Sequence, residues 1–223
     1  MLLVIEEILS RDELARVRAH FDRANFGDGR VTAGNLAAKV KNNLQLGFET
    51  KESRWLSGIV QRALERNPQF VSAALPKTVC MPLFNRYLPG MEFGVHVDNA
   101  IRIADVTLRT DLSGTLFLND PEDYEGGELM IEDTFGTQSI KLAAGSLVLY
   151  PSSSLHRIER VTAGHRDVAV FWVQSAVRET EQRRLLFQLD RDIQGLSERL
   201  PDAPEIRSLV AAYHNLLRMW ADI

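Results

Sequence analysis

A chain of 223 residues, 45% hydrophobic and 25% charged, is long enough for one ordinary globular domain with a substantial core. Its formal net charge of −4 removes bulk electrostatics as a basis for binding nucleic acid or an acidic membrane surface. Cys80 is the single cysteine, so no intrachain disulfide can form, which suits a reducing cytoplasm.

Residues 1–5 form an apolar run that Glu6 and Glu7 end, with no basic stretch before it, so neither a signal peptide nor a membrane span is expected there. Residues 1–75 read as a mainly helical support region. Ser10 and Glu13 have the spacing of a capping box, and Leu14, Val17 and Phe21 then recur at helical period. A second helix is predicted from Thr50 or Ser53 to Arg66, with Trp55, Leu56, Ile59, Val60 and Leu64 on one face. It stops at Asn67-Pro68, because proline disfavours helix at its predecessor. The polar segment 27–43 between them carries no pattern that decides its structure.

Residues 76–176 change character. Short β-prone runs at 78–87, 92–97, 113–119, 127–133, 138–142, 146–150, 156–161 and 167–175 alternate with turn signals such as Pro89-Gly90 and Ala144-Gly145. Many short strands at this spacing predict an all-β jelly roll rather than a parallel α/β sheet. Gly126-Gly127 lacks the Lys-Ser of a phosphate loop and reads as a tight hairpin. Residues 177–223 return to helix, with one apolar stripe from Leu185 to Leu200 and a second from Ile206 to Trp220, broken at Pro201 and Pro204. The expected product is a C-terminal helical hairpin that packs on the β core or on a second subunit.

Four residues carry the chemistry. His96 and Asp98 are two apart, so on a strand they share a face and reach one metal. His156 lies some sixty residues further on, which excludes a short chelating loop, and the lack of a cysteine pair argues against structural zinc. Two imidazoles and a carboxylate are the facial triad of non-heme Fe(II), which leaves three positions open. His165 is the competing third ligand, although on a strand it faces away from Arg166. Arg166 heads the apolar run 168–173, where an inward guanidinium needs an anion; its alternative is a surface pair with Asp167 or Glu159. His20 and His214 fall on predicted helices and read as surface or packing residues.

The run NRYLPGMEFGVHVD at 85–98, LFLN at 116–119, YEGGEL at 124–129, Tyr150-Pro151 before His156, and Arg166 ten residues later resemble the 2-oxoglutarate- and Fe(II)-dependent dioxygenases. Within them the pattern is most similar to the prolyl/lysyl-hydroxylase-domain branch and its bacterial PKHD-type hydroxylases. The resemblance covers the β region fully, and the helical ends fit the same bacterial group. It implies a double-stranded β-helix with iron at the open end, held by His96, Asp98 and His156. It further implies that Arg166 binds the distal carboxylate of 2-oxoglutarate and that Tyr87 hydrogen-bonds the same group. Collagen prolyl hydroxylases of animals usually carry lysine where this chain has Arg166, so the collagen-type substrate does not transfer.

The implied activity is oxidative decarboxylation of 2-oxoglutarate coupled to hydroxylation of a small-molecule or peptidyl substrate by O2, with L-ascorbate a candidate reductant. Asp98 favours hydroxylation over halogenation, since related halogenases lack that carboxylate. The implied setting is a cytoplasmic enzyme, with a homodimer through the C-terminal hairpin left open and neither nucleic acid nor membrane as partner. The competing function is a non-catalytic jelly-roll sensor for iron or a small dicarboxylate. The competing metalloenzyme class, the cupins, usually presents His-x-His and a glutamate before a last histidine, whereas this chain shows His-x-Asp and no glutamate in that pattern.

Overall fold

The capping box forms as its spacing predicts. Ser10 Oγ accepts from the Glu13 amide, Glu13 Oε2 accepts from the Ser10 amide at 3.0 Å, and they open helix α1 (Arg11–Phe21). Thr50 Oγ1 accepts from the Ser53 amide at 3.1 Å and caps α2 (Lys51–Arg66). Asn67-Pro68 ends α2 and also starts another helix. The Asn67 side chain caps the Phe70 amide, and proline, which lacks an N–H to lose, takes the first position of α3 (Pro68–Ala74). Trp55 was expected inside with its stripe, yet it stays 40% exposed and stacks on His20 with ring centroids 3.8 Å apart.

The computed structural model describes residues 1–48, 50–133 and 136–223. The N-terminal stretch is less helical than expected, for it also supplies β1 (Leu3–Ile5), β2 (Phe26–Asp28), β3 (Lys41–Asn42) and β4 (Leu44–Leu46). Strands of two or three residues are too short to show a period of two, so the sequence hid them. The expected β region contributes β5 (Pro76–Val79), β6 (Leu83–Tyr87), β7 (Glu92–His96), β8 (Ile101–Ile103), β9 (Thr107–Arg109), β10 (Leu112–Phe117) and β11 (Tyr124–Gly126). It continues with β12 (Leu129–Asp133), β13 (Gly136–Ile140), β14 (Leu147–Pro151), β15 (His156–Ile158), β16 (Val161–Gly164) and β17 (Arg166–Ser175). Helices α4 (Thr180–Arg199) and α5 (Pro204–Trp220) form the expected hairpin. Among the described residues no helix is long and apolar enough to cross a membrane.

Two antiparallel sheets make the jelly-roll core. The larger runs β1-β14-β10-β17-β6-β4-β2, with β5 also on β17, and the smaller runs β13-β12-β15-β7-β3. Strand alternation divides the interior in two. Val148, Tyr150 and Val168 point toward Leu129, Ile131 and Ile158 of the smaller sheet. Leu147, Leu149, Ala169, Phe171 and Val173 point the other way, onto Val17, Phe21, Leu56, Val60 and Phe70 of the helices. Burial on both faces explains why β17 reads as a continuous apolar run over 168–173 rather than an alternating one, and every residue of β10 is likewise buried. Each large apolar side chain buried here contributes about 1.5–3 kcal/mol of transfer free energy. The helices therefore share one core with the sheets.

Candidate active site

β7 and β15 are hydrogen-bonded neighbours in which His96 stands opposite His156. Directly opposed residues of an antiparallel pair bring their side chains together, and the two rings lie with centroids 4.2 Å apart. Asp98 follows β7 and turns back, so that His156 Nε2 is 3.9 Å from Asp98 Oδ2. One donor atom from each of the three residues falls within 4.8 Å of the others.

The tautomers of both histidines follow from their partners. His96 Nδ1 is 2.8 Å from the Gly94 carbonyl and His156 Nδ1 is 3.0 Å from the Ser154 carbonyl. A carbonyl only accepts, so each Nδ1 carries the proton and each Nε2 keeps its lone pair for the centre. Burial, and then the neighbouring His156, push the His96 imidazole down to about 4, which keeps it in the neutral form that binds a metal. Asp98 Oδ2 accepts from Ser113 Oγ at 2.6 Å, and Ser113 in turn lies 2.8 Å from Ser152 Oγ. Phe93 stacks on His96 at 3.7 Å and Tyr150 meets His156 edge-on at 5.3 Å, so the imidazoles have little freedom to swing.

Arg166 is 1% exposed, and its position follows from register: it opens β17 opposite Tyr87 on β6. The guanidinium lies 5.3 Å from the Tyr87 ring centroid and 5.4 Å from that of Phe117. Among the described residues its Nε and Nη2 are buried with no hydrogen-bond partner, and so is Tyr124 Oη. Unpaired buried donors of this kind cost about 1–3 kcal/mol each unless a ligand satisfies them. The surface pair considered for Arg166 is not made, because Asp167 faces the opposite side and binds Arg86 at 2.7 and 2.8 Å. Gly127, at φ +69°, closes this corner: a Cβ there would meet Arg166 Cδ and Tyr124 Cε2, both at 3.1 Å. Burial pushes the Tyr87 hydroxyl up to about 12, so it stays protonated and able to donate.

All five residues singled out by the sequence, His96, Asp98, His156, Arg166 and Tyr87, line one cavity of about 450 Å³. His165 does not line it; it is half-exposed, with Nε2 3.5 Å from Asp167 Oδ2. His214 sits on α5 beside Tyr213. Sequence reasoning passed over Ser113, Lys41 and Arg102, all of which line the cavity. Ser113 lies within a predicted strand as an ordinary residue, and Lys41 lies in a segment that carried no pattern. Only the assembled sheets bring them to this cavity.

The donor set suits a metal that takes two imidazoles and a carboxylate, and the unpaired Arg166 fork suits a planar carboxylate beside it. Residues 82–174 match the 2OG-Fe(II) oxygenase superfamily and residues 181–222 match the PKHD-type hydroxylase C-terminal domain. A PKHD-type hydroxylase of Stutzerimonas stutzeri is 50% identical over 226 residues, and one of Gluconobacter oxydans 52% identical over 227, each alignment covering all of both chains. Among solved structures, a Pseudomonas putida prolyl-4-hydroxylase superposes with a TM-score of 0.53 at 18% identity, over 78% of this chain and 92% of that one. A Trichoplax adhaerens prolyl hydroxylase in complex with a peptide fragment of hypoxia inducible factor gives 0.57 at 17%, over 83% and 86%. Those distant structures share the fold; identity near one half over the full length shows more, and the chain belongs to the PKHD-type hydroxylases of the 2OG-Fe(II) oxygenase superfamily.

Proposed function

We propose that His96, Asp98 and His156 hold the Fe(II) of this 2-oxoglutarate-dependent hydroxylase, and that Arg166 with Tyr87 receives the distal carboxylate of 2-oxoglutarate. The observation that carries the reading is Arg166 itself: a buried guanidinium with two unpaired nitrogens, on the cavity that also holds the three donor atoms. When bound, iron and 2-oxoglutarate supply O2 activation coupled to decarboxylation, which yields succinate, CO2 and a hydroxylated product. The chain's own residues do the positioning. The Gly94 and Ser154 carbonyls hold each Nε2 toward the centre, and Ser113 orients Asp98. Tyr124 adds a third donor beside Arg166. Phe93, Leu129 and Ile158 give the cavity apolar walls that exclude water. The reading extends to O2 and a small-molecule or peptidyl substrate, with no nucleic-acid partner and a cytoplasmic location; the net charge of −4 and the single, buried Cys80 support it.

Adding Fe(II) and then 2-oxoglutarate to metal-free protein without oxygen should produce the visible iron-to-keto-acid charge-transfer band. His96→Ala and His156→Ala should abolish it, and Arg166→Ala should raise the 2-oxoglutarate concentration required by about 10–100-fold. Succinate release then separates a hydroxylase from a binding module. A band that persists in His156→Ala, or an unaltered 2-oxoglutarate requirement in Arg166→Ala, removes that residue from the site.

A further inference from the structure

Two cations line the same cavity and take no part in the machinery above. Lys41, at the start of β3, is 7% exposed, and its Nζ reaches only neutral oxygens, Thr32 Oγ1 and Gln45 Oε1, both at 3.3 Å. It lies 5.6 Å from the centroid of Phe93, the ring that stacks on His96. Arg102, on the β8–β9 hairpin, lays its guanidinium 4.5 Å from the Trp172 ring centroid. Among the described residues Arg102 Nε and Trp172 Nε1 are both buried with no hydrogen-bond partner. Nearby arginines are matched, Arg30 by Asp28 and Arg109 by Asp111, whereas among the described residues neither Lys41 nor Arg102 has a carboxylate within ion-pair distance.

The loaded site deepens this imbalance. The acidic groups that act on Lys41 are Asp28, already chelated by Arg30, and Asp98, which the metal neutralises on the reading above. The distal carboxylate of 2-oxoglutarate is taken by Arg166. Lys41 and Arg102 are then left without a counter-charge inside the cavity, where an unmatched cation is costly. The mouth of the cavity is apolar instead: Val31 is 81%, Ile101 55% and Ile103 80% exposed, and all three line it.

Resting on the hydroxylase reading, we propose that the substrate is a small organic carboxylate with an apolar body, its carboxylate bound by Arg102 and Lys41 and its body against Val31, Ile101 and Ile103. The guanidinium held over the Trp172 ring offers a planar fork that suits a carboxylate, and Lys41 adds a point charge in the same cavity. The two residues would thus determine specificity by aligning the substrate, while the metal site performs the oxidation.

Octanoate and octanamide share one apolar body and differ in charge, so they isolate the proposed contact. Each is titrated calorimetrically into Fe(II)- and 2-oxoglutarate-loaded protein without oxygen, with the charge-transfer band followed in parallel. Octanoate should bind at least about tenfold more tightly than octanamide, and Arg102→Gln and Lys41→Gln should each remove about tenfold from octanoate alone, with the band retained. Circular dichroism identifies a variant that has failed to fold, in which case the other carries the test. Equal binding of the two probes, full octanoate affinity in the folded variants, or loss of the band as octanoate displaces 2-oxoglutarate overturns the proposal. Absence of the band in wild-type protein would instead sink the oxygenase site, and the loss of octanoate affinity in Arg102→Gln and Lys41→Gln, or its retention, would still decide the carboxylate contact.

Discussion

On the proposed metal site, Ser113 shows how much rests on residues that would touch neither metal nor co-substrate. Its hydroxyl donates to Asp98 Oδ2 at 2.6 Å and leaves the carboxylate's remaining lone pairs for the centre. Ser113→Ala removes that donor with little change of volume. Partners of metal ligands are typically worth about 10–100-fold in metal affinity or activity, so iron affinity should fall by at least about tenfold while the thermal midpoint barely moves. Competitive metal titration measures this, and wild-type affinity in the variant would show that Asp98 needs no such support. Gly127 makes the complementary point about space. At φ +69° its missing side chain is what lets Arg166 and Tyr124 close on one corner. Gly127→Ala should therefore raise the half-saturating 2-oxoglutarate concentration several-fold, read from succinate release, and an unchanged value would mean that the corner yields.

Elements are tied together by ends as much as by faces. Glu13 closes the α1 capping box and also reaches Arg66 in the last turn of α2, which joins the two helices. The Arg66 hydrogen bond, aided by the Ser10 donors, holds the Glu13 carboxyl down at about 2. A depressed carboxylate stabilises the fold fully above its unfolded value near 4.5, and that contribution is lost as pH falls toward 2. Glu13→Gln should cost about 1 kcal/mol at neutral pH. The gap between wild type and variant should close between pH 4.5 and 2, as followed by urea denaturation. A gap that stays constant over that interval would assign the loss to packing rather than to charge.

At the scale of the molecule, the termini are structural parts of the β core. β1 pairs with β14 from Leu3↔Leu149 to Ile5↔Leu147, and Ile5 is 1% exposed in the shared core. Ile5→Ala should cost about 2–5 kcal/mol and lower the thermal midpoint by several degrees or more, in one cooperative transition. A midpoint unchanged by that truncation would mean that the segment frays independently of the sheets. At the other end, α4 buries Leu186, Phe187 and Ile193, whereas α5 has no fully buried residue, so the first helix of the hairpin holds the second on the body of the protein.

The sequence by itself determined the local structure and the chemistry. The Ser10–Glu13 box, the α2 stripe and the runs of β6, β7, β14 and β17 were legible because helix and strand periods are written in neighbouring residues. His96 and Asp98 were legible because two residues along a strand share a face. The short strands β1 to β4 were not legible, nor was the β8–β9 hairpin, since no period fits in so short a span. Tertiary structure alone decided what meets across the cavity: His156 opposite His96, Arg166 opposite Tyr87, and Lys41 and Arg102 on one lining. Those meetings depend on strand register and on the order of strands in two sheets, which are set by burial over the whole chain. A single residue's spacing carries no trace of them.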